Sequence, residues 1–119
     1  MIRSKYITEI LNLLLELDCD GRSLKPQLKF LSDDKYEYTG SGLIVRFTYD
    51  NEGKTHRIES ENLVLDGVAI RSTELEDGAA AMLFISDGQI EYLEIHSRNG
   101  KYPNIELTNY ALEINMFKH

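Results

Sequence analysis

The chain has 119 residues, with 20 acidic and 13 basic side chains, a formal net charge of −7 and a hydrophobic share of 42%. That length suits one domain built round one core, and the composition excludes a disordered polymer. The acid excess argues against a nucleic-acid surface, where a dense basic patch must offset phosphate repulsion.

In chain order, the first signal is helical. Ile7, Ile10, Leu11, Leu14 and Leu17 recur at helical spacing, with Leu13 and Leu15 widening the stripe, so residues 4–19 are expected to form a helix packed against a sheet. Ser4 suits its N-cap, and Gly21 suits the residue that stops it. The stretch from Ile7 to Leu17 is interrupted by Thr8, Glu9, Asn12 and Glu16. It falls short of the roughly 20 apolar residues of a membrane span, so no membrane partner is expected. Asp18-Cys19-Asp20-Gly21 stands where a secretory cleavage site would be, which leads to the expectation of a cytoplasmic protein. Cys19 is the one cysteine, so an internal disulfide and Cys–His zinc spacing are both excluded. It is expected to be a half-buried residue at a helix end.

After Pro26 the pattern turns to strands and turns. Leu28 and Phe30 alternate before a turn at Ser32-Asp33-Asp34, and Tyr36 and Tyr38 alternate before Gly40-Ser41-Gly42. Leu43 to Tyr49 reads as a strand ending at the turn formers of residues 50–53. Shorter strands are expected at 56–60, 63–65 and 68–70, the last two separated by Asp66-Gly67. The strongest hairpin runs from Ala80 to Ser97 round Asp87-Gly88, a pair suited to a type I′ turn. Simple alternation from that turn puts Ile85 opposite Ile90, Leu83 opposite Tyr92 and Ala81 opposite Glu94 on one face. The other face then pairs Phe84 with Glu91, Met82 with Leu93 and Ala80 with Ile95. Both faces are largely apolar, which places the hairpin mid-sheet with the helix on one side. Asn99-Gly100 marks a further turn, Pro103 bars a central strand, and the tail fits a strand better than a helix. The expected fold is α+β, an N-terminal helix on a mostly antiparallel, meandering sheet in one domain spanning 1–119.

Few residues suggest chemistry. A phosphate-binding loop, a zinc-protease helix and a serine-hydrolase elbow are all missing from the sequence. Gly40-Ser41-Gly42, lying between strands, reads as a hairpin turn. Glu94 and His96, two apart on a strand, point to the same side and form the one acid–base or metal-holding pair, without a third partner. They support an alternative reading as a small metal-dependent or acid–base hydrolase. His56 and His119 read as exposed loop and tail residues. Tyr36, Tyr38, Tyr92, Tyr102 and Tyr110 suit a half-buried sheet surface or, where exposed, a protein-binding face.

Charge is more telling. Residues 1–60 hold nine basic and ten acidic side chains, whereas 61–119 hold four basic against ten acidic. Glu74, Glu76, Asp77, Asp87 and Glu91, at expected turns, are the partner-binding candidates, forming an acidic surface for a basic protein.

The run from Leu65 to Pro103 combines a strand, Asp87-Gly88, the sequence Ile90-Glu91-Tyr92-Leu93-Glu94-Ile95 and the turn Asn99-Gly100-Lys101-Tyr102-Pro103. In this it resembles small bacterial immunity proteins, the antidotes that accompany polymorphic or contact-dependent toxins. The resemblance covers about a third of the chain and carries no residue roles with it. It implies a non-enzymatic, cytoplasmic protein that binds and blocks a cognate toxin. The acidic surface adds the expectation of a basic active site on that toxin, such as a nuclease's, and no cofactor is expected. A homo-oligomeric structural domain is the third expectation.

Overall fold

The computed structural model describes residues 1–49, 57–59 and 62–114. Helix α1 spans Lys5–Glu16, α2 spans Cys19–Leu24, and a 3-10 helix follows over Lys25–Phe30. Six strands come next: β1 (Leu31–Tyr38), β2 (Gly42–Tyr49), β3 (Leu63–Ser72), β4 (Leu75–Ser86), β5 (Gln89–Ser97) and β6 (Ala111–Ile114). They form one antiparallel sheet in the order β1-β2-β5-β4-β3-β6. The fold is therefore α+β, with the β4–β5 hairpin at the centre. β3, β4 and β5 form a meander whose last strand returns beside β2.

The apolar stripe of α1 explains the layering. Tyr6, Ile7, Ile10, Leu11, Leu14 and Leu15 are buried, and they join Val45, Leu83, Leu93 and Ile95 of the strands in one core. Ser4 caps the helix as expected, its Oγ accepting the Ile7 N–H at 3.1 Å. The helical stretch does not run unbroken to residue 19. Asp18 caps a second helix by accepting the N–H groups of Asp20 and Gly21, and this side-chain competition breaks the run. Gly21 is not a stop but lies inside α2, where a Cβ would meet the Leu15 backbone within 2.7 Å; it lets α2 approach α1 closely. Cys19, at the start of α2, is exposed rather than half-buried.

Three strand expectations change. Leu28 and Phe30 lie in the 3-10 helix, which Pro26 can begin because the first helical N–H groups need no partner. Ser32-Asp33-Asp34 is an irregularity within β1, since the Asp33 carboxylate accepts the N–H groups of Arg3 and Ser4 instead of closing a local turn. Asp66-Gly67 is a bulge inside one long β3. Of the expected strand at 56–60, residues 57–59 carry no strand and the rest lie outside the described residues, as does the turn at 50–53.

The β4–β5 hairpin turns through Asp87 (φ 55°) and Gly88 (φ 75°), both left-handed, as a type I′ turn requires. Beyond Ile85↔Ile90 the register slips by one, giving Phe84↔Tyr92, Leu83↔Leu93, Met82↔Glu94 and Ala81↔Ile95. The cause lies in burial. Strict alternation would put Ile90, Tyr92 and Glu94 on the core face, whereas one extra residue at Glu91 puts Ile90, Leu93 and Ile95 there. All three are fully buried.

Candidate functional site

The five acidic candidates do not meet. Glu74 lies in the β3–β4 turn, and Glu76 and Asp77 begin β4 rather than sitting in a loop. Asp87 lies in the turn at the far end of β4, with Glu91 four residues on. Eleven residue rises separate Glu76 from Asp87, on the order of 35 Å. Asp87 also faces Arg57, with 3.3 Å between its carboxylate and the guanidinium. The five candidates are thus split between the two ends of the hairpin.

The end that holds Glu74 is richer than its sequence suggests. Tyr6, from α1, and Tyr102, from the loop after β5, are buried and share a hydroxyl hydrogen bond of 2.9 Å. The Tyr110 ring meets Tyr6 edge-on at 4.7 Å, and its hydroxyl donates to Glu9. Tyr38 stacks on Tyr102 at 6.5 Å, and the Tyr36 hydroxyl donates to Asp33 at 2.6 Å. Backbone bonds from Tyr102 N–H to the Gly40 carbonyl and from Arg98 N–H to the Gly78 carbonyl fasten the loop to the β1–β2 turn and to the start of β4. Five tyrosines therefore form one belt where α1 begins.

Two open grooves border this belt. One, of about 380 Å³, is lined by Arg3, Ser4, Asp33, Asp34, Tyr36 and Glu106. The other, of about 440 Å³, is lined by Lys5, Tyr6, Glu9, Glu106, Leu107, Thr108 and Tyr110. Glu106 belongs to both.

Electrostatics tie the parts together. Burial raises the phenols of Tyr36, Tyr38, Tyr102 and Tyr110, and the Glu106 carboxylate adds to the rise in all four. Tyr102 and Tyr110 both reach about 12. Tyr102 also feels Glu74. Burial opposes the charge on Asp33, but bonds from the Tyr36 hydroxyl and the N–H groups of Arg3 and Ser4 outweigh it and hold its carboxyl below the ordinary value. Four carboxylates against Arg3 and Lys5 give the grooves an acidic balance, with aromatic walls suited to a cation.

Glu94 and His96 do lie on one side of β5, on the sheet face away from the helices. Among the described residues no three His, Cys, Asp or Glu side chains gather as a metal site. No helix among them is long and apolar enough to cross a membrane. Glu9, Asp33, Asp34 and Glu106 were absent from the sequence-derived set. The signal for Glu106 was its place between Tyr102 and Tyr110, two tyrosines already singled out. The chain matches no family model, no curated protein and no solved structure.

Proposed function

We propose that this chain is a non-enzymatic binding protein of the immunity type, which neutralises a cognate toxin by receiving a basic segment of it at the tyrosine–carboxylate end. The observation that carries the reading is Glu106, a single exposed carboxylate shared by two open grooves and felt by four tyrosines. Half-buried tyrosines offer rigid contact area, and carboxylates beside them add attraction for lysine or arginine. The contact set moves accordingly, from Asp87 and Glu91 to Glu106, Asp34 and Glu9, with Glu74 retained. Occlusion of a toxin needs no catalytic group and no cofactor.

Calorimetric titration against the C-terminal domain of any toxin-like protein encoded by the neighbouring reading frame is the test. Glu106→Lys combined with Asp34→Lys is expected to weaken binding roughly a hundredfold, while Asp87→Lys at the far end leaves it unchanged. Equal affinity for all three proteins would remove the site. Failure of the unaltered chain to bind would remove the antidote reading itself.

A further inference from the structure

The sheet has a second face, and both described α-helices lie on the first. The Cα envelope is 19 Å on its short axis, the thickness of one sheet with one helical layer. The register sorts the outer face into rows running across the strands. One row reads Lys35, Arg46, Tyr92, Phe84, Val64 over β1, β2, β5, β4 and β3. The next reads Glu37, Ile44, Glu94, Met82 over the first four of these. Phe84 and Tyr92 stack at 4.4 Å, Arg46 lies over the Tyr92 ring at 5.4 Å, and Val64 is 51% exposed. The first row thus places two cations beside its aromatics, and the second places two carboxylates beside aliphatics. Among the described residues, Lys35, Glu37, Arg46 and Glu94 form no ion pair within the chain.

We infer that this face is the interface of a twofold homodimer, two sheets packed face to face. A twofold axis lying across the strands between the two rows exchanges them. Lys35 of one copy then falls on Glu37 of the other, Arg46 falls on Ile44 beside Glu94, and Phe84 falls on Met82. A single surface is thereby complementary to itself in charge and in apolar character, as an isologous contact demands. The area is adequate. Five strands, β1 to β5, spaced about 4.8 Å apart and at least roughly 26 Å long project about 600 Å². Side-chain relief raises this toward the roughly 800 Å² per partner of a standard interface. This surface is separate from the tyrosine end, so the dimer does not depend on the antidote reading.

Sedimentation velocity on the purified full chain tests the inference. A concentration-dependent dimer is expected, and a monomer throughout would overturn it. Phe84→Asp, whose side chain lies outside the core, should give a monomer with unchanged far-ultraviolet circular dichroism. Should that variant lose its fold, the charge variants decide. Arg46→Glu alone and Glu94→Lys alone are each expected to weaken the dimer about tenfold or more. The two together should restore it, because each copy then carries the pair with signs exchanged. A dimer indifferent to all of these changes would use another surface and would also overturn the proposal.

Discussion

The two ends of the β4–β5 hairpin are built on opposite plans. At the Asp87-Gly88 turn, Gln27 of the 3-10 helix is fully buried. Its Nε2 donates to the Gly88 carbonyl at 2.9 Å, and its Oε1 accepts the Ile90 N–H at 3.0 Å. The Tyr49 hydroxyl lies 2.6 Å from that Oε1 and 2.8 Å from the Ile90 carbonyl. One amide thereby satisfies backbone groups that the turn leaves without ladder partners. At the opposite end the polar groups are carboxylates and phenols facing open grooves. A neutral, buried amide fixes geometry, whereas exposed carboxylates keep charge available to another molecule. The turn end is organised for stability, and the tyrosine end is the one proposed for contact.

The sharpest way to break the turn end is Gly88→Ala. The backbone there is left-handed, and a Cβ would run into the Ile58 carbonyl oxygen, which has no room to yield without losing the bond from Ile58 N–H to Gly88. A loss of about 4 kcal/mol is expected from urea unfolding. Gln27→Leu keeps the volume but strands the Ile90 N–H in the core and leaves the Gly88 carbonyl with the Ile58 N–H alone, costing about 2 kcal/mol in the same measurement. If both variants unfold with the unaltered midpoint, the turn end is not the stabilising one and the contrast fails.

How far this was legible in the sequence follows the same contrast. The helical stripe, the type I′ turn and the central hairpin depend on local periodicity and on backbone preferences at Asp87 and Gly88, and all three could be read. The bulge at Glu91 could not, because alternation is broken only to bring Ile90, Leu93 and Ile95 onto one buried face, a tertiary demand. Gln27 carries no local signal either, since its partners lie some sixty residues away. The separation of Glu76 from Asp87 was available in principle, as both flank one long apolar run. The tyrosine belt joins residues from α1, β1 and the loop after β5, which only folding brings together.

At the tyrosine end, pH gives a smaller and opposite pair of effects. Tyr102 and Tyr110 titrate near 12 when folded against an ordinary 10, so between those values the unfolded chain has lost protons that the folded chain retains. Stability is therefore complete below pH 10 and falls as pH rises toward 12. Tyr102→Phe is expected to flatten that decline at a cost of roughly 1 kcal/mol at neutral pH. Asp33 has the reverse sign. Its folded carboxyl sits below the ordinary 3.8, so its contribution is present above that value and is lost as pH falls through the folded one. Asp33→Asn should remove that acid-limb component, as followed by thermal melts across the acid range.

The mildest change is the most selective. Glu106 is exposed and forms no ion pair among the described residues, so Glu106→Gln should alter stability by less than about 0.5 kcal/mol. Its charge nevertheless raises four phenols at once. Neutralising it should therefore move the tyrosinate absorbance titration to lower pH while the unfolding midpoint at neutral pH stays in place. A residue whose role was only to hold the loop would do the reverse, lowering the midpoint and leaving the titration of the folded protein where it was. The two readouts together separate a carboxylate placed for its field from one placed for its packing, and only the former suits a surface that attracts a cationic partner.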